Sequence, residues 1–258
     1  MTLGAEQAQP PAPDAGLRAP RRIAWSGAQA VAVALSTLLV GLAISALTRW
    51  LGLDTEWYSG QTAAVQSAFR LATMGLPYAV TLGLVVVLVR SSGEGWRDGL
   101  GLRGFPVLPG VALAVLLAFF ARVGTTAWTT LLLRLGQVPP DSLDVMGRFP
   151  QGPLGIATLI AVAAVIAPVA EEIAYRGVLY PALRNRWGVT AAVALSSAVF
   201  ALLHFNVVWL GLPIWILGML LARLFERTGS LWPPIVAHAL FNLSAVALWF
   251  AGRALGGV

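Results

Sequence analysis

The residues able to do chemistry in this sequence lie in its last third, inside apolar stretches. Ala167-Pro168-Val169-Ala170-Glu171-Glu172-Ile173-Ala174-Tyr175-Arg176-Gly177 holds two adjacent carboxylates and a guanidinium. Phe200-Ala201-Leu202-Leu203-His204 and His238-Ala239-Leu240-Phe241-Asn242 hold the only two histidines. An ionisable side chain at the centre of a membrane helix costs about 2.5–3.5 kcal/mol, so such residues normally face a cavity and carry function. Neighbouring helical residues project about 100° apart, so Glu171 and Glu172 must occupy different environments. Glu172 precedes Arg176 by four residues, the favourable order for an intrahelical ion pair, and pairing keeps both charges tolerable away from water. Glu171 has no cation at i±3 or i±4. The expected division is Glu172–Arg176 as scaffold and Glu171 as general base. The plainer alternative is that both acids only hold helices together.

His204 shares a helical face with Phe200; alone, it reads more readily as a structural donor than as a ligand. His238 and Asn242 also share a face, at i, i+4. They suit donation to a developing oxyanion, or equally a polar clamp between helices. The combination carries more than its parts. Glu171, His204 and His238 are spaced by 33 and 34 residues. Three helices therefore each contribute a catalytic-type group, as in pockets built between the helices of a bundle.

Composition identifies the elements that must position these groups. Of 258 residues, 58% are hydrophobic and 11% charged, with a mean hydropathy of +0.78. A soluble domain carries about 25% charged residues, so a water-soluble enzyme is nearly ruled out. There is no Cys, which excludes disulfides, thiolate metal sites and cysteine nucleophiles. Residues 1–22 are rich in Pro, Ala and Gln and are expected to be a disordered cytoplasmic N-terminus. Apolar runs near 23–48, 71–89, 106–133, 153–180, 188–208, 209–223 and 231–252 predict an all-α polytopic bundle of about seven spans, between six and eight. The first run is too long for a signal-peptide core. The third contains Arg122, which leaves its length open. Residues 23–149 read as N-terminal transmembrane helices and 150–252 as the catalytic core.

The net charge of +6 comes from 17 cations, all of them Arg. With the N-terminus inside, ten fall in cytoplasmic segments (Arg18, Arg21, Arg22, Arg90, Arg97, Arg103, Arg184, Arg186, Arg223, Arg227). Five fall outside (Arg49, Arg70, Arg134, Arg148, Arg253). That bias fits the positive-inside rule and a multi-pass protein of the cell membrane. It explains the basic charge without nucleic acid, for which no basic stripe with interleaved aromatics exists. Asp54, Glu56, Glu94, Asp98, Asp141, Asp144 and Glu226 are expected to be solvated loop acids.

Glu171-Glu172-x-x-x-Arg176, Phe200-x-x-x-His204 and His238-x-x-x-Asn242, in this order, resemble the three motifs of the CPBP family. That family comprises CAAX prenyl endopeptidases of type II (Rce1-like) and bacteriocin-processing or immunity intramembrane proteases. Arg227-Thr228-Gly229-Ser230-Leu231-Trp232-Pro233-Pro234-Ile235-Val236-Ala237-His238 resembles the lead-in to its last motif. The resemblance covers about residues 150–250. It implies an intramembrane endopeptidase that hydrolyses a peptide bond of a membrane-associated polypeptide. It assigns water activation to Glu171 with His204, oxyanion stabilisation to His238 and Asn242, and structural support to Glu172 and Arg176. No cofactor is required on that reading. Glu171, His204 and His238 would alternatively give zinc three ligands and an open fourth position. The absence of His-Glu-x-x-His favours the metal-free form.

Other readings fit less well. Gly99-Leu100-Gly101-Leu102-Arg103-Gly104 matches G-x-G-x-x-G but lacks a preceding strand, so nucleotide binding is rejected. No aspartate pair or G-x-S-x-G serine occupies a span. A proton-coupled transporter would use the same Glu and His residues, yet no internal repeat is present. A non-catalytic immunity or scaffold protein retaining the fold is the remaining alternative.

Overall fold

The computed structural model describes residues 23–53, 55–93, 95–138, 145–204 and 207–255. The stretch 1–22 and the acids Asp54, Glu94, Asp141 and Asp144 lie outside them. The described residues are helical and contain no strand, as an all-α membrane bundle requires, because only closed hydrogen bonding satisfies the backbone in lipid.

Helix α1 (Gly27–Trp50) opens on a capping box in which Ser26 Oγ accepts from Gln29 N and Gln29 Oε1 accepts from Ser26 N. After the short α2 (Thr55–Ser59), helix α3 (Ala63–Ser92) returns and ends at Gly93, whose φ of 71° places it in the left-handed region. Ser36 and Thr37 of α1 both lie 2.7 Å from Thr81 Oγ1 of α3, polar contacts that join the helices where apolar surface gives no net drive in lipid. The short α4 (Trp96–Gly99) precedes α5 (Val107–Arg134).

Arg122 does not break α5, which runs unbroken for 28 residues. Its guanidinium donates to Ser244 Oγ (2.8 Å) and to the carbonyl of Phe241 (2.7 Å), and stacks 4.1 Å above the Phe241 ring. The charge is satisfied across the helix pair instead of shortening the span.

The stretch Pro153–Leu202 is helical over its 50 residues except for a break at Gly188. It comprises α6 (Pro153–Ile160), a π-helical segment (Ala161–Ile166), α7 (Ala167–Glu172), a second π-helical segment (Ile173–Leu179) and α8 (Tyr180–Leu202). A straight helix would separate Tyr175 from Phe200 by about 37 Å. Their rings are 5.0 Å apart. The reversal is at Gly188, with φ 77° and ψ 176°, inside α8. Helices α9 (Leu212–Thr228) and α10 (Trp232–Ala254) complete the bundle.

Six helical stretches among the described residues are long and apolar enough to cross a membrane. Folding the fourth at Gly188 accounts for the seventh predicted pass, although its second leg, 189–202, spans only about 21 Å. The chain is a multi-pass membrane protein, and large apolar side chains such as Leu42, Phe119, Phe120 and Leu133 cover its outer surface. Glu226 departs from expectation. It lies on α9, nearly buried, where Arg184 Nη2 contacts Oε1 at 2.7 Å and Tyr180 Oη donates to Oε2 at 2.8 Å. Two partners from α8 replace the water that a loop acid would have had.

Candidate active site

The two adjacent carboxylates part company as their helical angle requires. Glu172, the last residue of α7, points inward and is fully buried. Its Oε1 accepts from Arg176 Nη1 (2.8 Å) and from His238 Nδ1 (2.8 Å). Arg176, buried in the second π-helical segment, also donates from Nη2 to the carbonyl of Gly218 on α9 (3.2 Å) and lies 4.7 Å over the Phe200 ring. Sequence placed Glu172 and Arg176 on one helix; the fold adds α8, α9 and α10 to the same charge pair.

Glu171 faces the other way, with its side chain 12% exposed. It lines a cavity of about 390 Å³ together with His204, Tyr78, Tyr175 and Thr37. Tyr78 Oη on α3 donates to Glu171 Oε1 at 2.8 Å. Oε2, the other oxygen, lies 3.7 Å from His238 Nε2.

His238 therefore stands between both carboxylates. Its Nδ1 faces a carboxylate oxygen of Glu172, to which it donates, and its Nε2 is the ring atom turned towards Glu171. His204 follows the last turn of α8 and donates from Nδ1 to the carbonyl of Phe200 (2.8 Å), so its Nε2 is not taken up by that bond. The Phe200 ring packs edge-on against both imidazoles, 4.7 Å from His204 and 5.7 Å from His238. Asn242, one turn beyond His238, donates from Nδ2 to the carbonyl of Ala163 in the first π-helical segment (2.8 Å). A π-helical turn releases carbonyls from the ordinary i→i−4 ladder, and such turns recur at functional sites.

Tyr78 is the residue that sequence reasoning passed over. A phenol in an apolar helix needs a hydrogen-bond partner, and this chain has only four tyrosines. That scarcity was its one signal. Its partner lies 93 residues away.

These positions bear on a metal. Among the described residues, no group of three or more His, Cys, Asp or Glu is placed to hold one. Nδ1 of His238 is committed to Glu172 and Nδ1 of His204 to a carbonyl, and Glu171 Oε1 to Tyr78. Those bonds leave Nε2 of His204, Nε2 of His238 and Oε2 of Glu171 outside them, but the described positions do not gather the three residues as one ligand set.

Residues 153–244 match the family described as type II CAAX prenyl endopeptidase Rce1-like. The segment bearing the candidate site is therefore the part of the chain similar to that Rce1-like family. It holds both carboxylates, Arg176, both histidines and Asn242, whereas Tyr78 lies on α3 outside it. The chain is 30% identical over 93 residues to the Bacillus subtilis protein named "Putative membrane peptidase YdiL". That stretch is 36% of this chain and 38% of the relative, so the chain spans well under half of that protein's length. It is 24% identical over 132 residues to "UPF0177 protein YxdF" of Lactococcus lactis, covering 49% of this chain and 70% of that one. No solved structure matches it significantly.

Proposed function

We propose that the chain is an intramembrane endopeptidase whose core, residues 150–252, hydrolyses a peptide bond in a membrane-associated polypeptide. The observation that carries this reading is the placement of Glu171. It is the one acid of its pair that opens to a cavity, it shares that cavity with His204, and it stands 3.7 Å from His238 within the Rce1-like segment.

A water held between Glu171 and His204 gives its proton to Glu171 as its oxygen attacks the scissile carbonyl. The oxyanion that forms is met by the second N–H of Asn242 and by His238 in its doubly protonated form, with Nδ1–H held by Glu172 and Nε2–H given to the oxyanion, a stabilisation that counts most where water is excluded. Glu171 then passes the proton towards the leaving amine, with His238 Nε2 beside it as the second proton-carrying group. Glu172 and Arg176 touch no substrate; they fix the ring of His238. The N-terminus lies in the cytoplasm and the protein in the cell membrane.

Comparative proteomics of membranes holding wild-type, Glu171→Ala or His204→Ala protein tests the reading. Uncleaved precursors should accumulate with either variant while the protein remains folded. An unchanged peptide profile with folded variants defeats the enzyme and leaves a scaffold.

A further inference from the structure

A second cavity, of about 460 Å³, opens at the end of the bundle that carries α2. Three arginines from three elements line it: Arg49 in the last turn of α1, Arg70 on α3 and Arg148 in the turn Met146–Arg148 before α6. No acid is among the described residues lining it.

The arrangement is built. Tyr58 Oη and Arg70 Nε both donate to the carbonyl of Arg148, at 3.0 Å each, and the Arg70 guanidinium stacks 4.3 Å over the Tyr58 ring. The guanidiniums of Arg49 and Arg148 make no hydrogen bond or ion pair among the described residues. Like charges converge around one space only at a cost, which an anion offsets.

Two features choose the anion. Arg49 ends a 24-residue membrane helix, so the cavity lies at the depth of lipid headgroups. Besides the arginines the lining holds apolar side chains, among them Ile44, Phe69, Met74 and Phe149, of which Ile44 and Met74 lie further along α1 and α3 from the arginine-bearing ends. A soluble anion needs only the cations; a lipid also needs the apolar floor.

We propose that this cavity binds the phosphate of an anionic membrane lipid, held by Arg49, Arg70 and Arg148, with an acyl chain running inward along Met74. Ser45, Thr73 and Met74 also line the cavity of Glu171 and His204, so the seated lipid borders the way to that site. This last consequence rests on the peptidase reading; the binding does not.

Native mass spectrometry of the full chain in neutral detergent, titrated with phosphatidylglycerol or phosphatidylcholine of the same chains, tests the binding. Phosphatidylglycerol should be retained at least tenfold more tightly. An arginine near an anionic headgroup is worth roughly fivefold in affinity, so Arg49→Gln with Arg148→Gln should weaken phosphatidylglycerol roughly thirtyfold and leave phosphatidylcholine unchanged. Lysines at both positions should restore most of the loss, which separates charge from folding. Equal retention of the two lipids, or equal retention by wild type and the glutamine variant, overturns the proposal. Displacement of phosphatidylglycerol by millimolar inorganic phosphate identifies a soluble-anion site and overturns it too. So does an acidic peptide that binds there where the lipid shows no preference.

Discussion

A carboxylate positioned by a phenol from outside the Rce1-like segment gives the candidate site a handle that its motifs do not contain. Tyr78 Oη holds Glu171 Oε1 and so turns Oε2 towards His238. A hydrogen bond to a charged group is worth about 1.5–3 kcal/mol. Tyr78→Phe should therefore cost up to that much stability and, by freeing the carboxylate to turn, lower kcat by about tenfold or more with KM little changed, in a cleavage assay on the purified protein. Arg176 behaves differently. Its removal leaves Glu172 buried beside His238 without its cation, and breaking a buried pair costs about 3–5 kcal/mol. Arg176→Ala should unfold at markedly lower temperature in detergent, before any question of activity arises. The difference between these two residues also separates what sequence can hold from what it cannot. Glu172–Arg176 is an i, i+4 pair on one helix, written in the local spacing. The bonds from Tyr78 to Glu171 and from His238 to Glu172 close loops of 93 and 66 residues, which no local pattern encodes.

At the scale of elements, helices α8 and α9 approach closely enough that Gly218 is a packing requirement. A Cβ there would stand 2.9 Å from Ser197 Cβ and 3.2 Å from Ser197 Cα, which is backbone and cannot turn aside. The same residue's carbonyl accepts from Arg176. Overpacking of this kind costs about 1–3 kcal/mol. Gly218→Ala should lower the melting temperature and, by displacing α9, reduce cleavage as well; a stable, fully active variant would show that α9 has no part in holding Arg176. The length of the apolar runs identified the helices because lipid exposure writes itself in composition. It could not show that the carboxylates lie between two π-helical segments, since a widened turn depends on which neighbours capture the freed carbonyls. Asn242, capturing Ala163 O, is one such neighbour. Arg122 left the length of its span open for a related reason: its partners, Ser244 and Phe241, are more than a hundred residues distant.

The whole molecule has two ends that hydrogen bonds distinguish without reference to any membrane. At one end Tyr58 reaches the carbonyl of Arg148, joining the α1–α3 connection to the approach to α6. At the other, Ser230 Oγ donates to the carbonyl of Arg103 at 2.6 Å, Leu231 N donates to Gly101 O, and Arg184 meets Glu226. The second end gathers Arg97, Arg103, Arg184 and Arg227, and the positive-inside rule supports the proposal that this end faces the cytoplasm. The cysteine-free sequence offers a direct test, because any single introduced thiol is the only one present. Glu56 and Arg97 are both exposed and occupy opposite ends. In intact cells a membrane-impermeant maleimide should label Glu56→Cys at once and Arg97→Cys only after permeabilisation. The reverse pattern would invert the protein, move the arginine-lined cavity to the cytoplasmic leaflet, and leave the arginine bias without its topological cause.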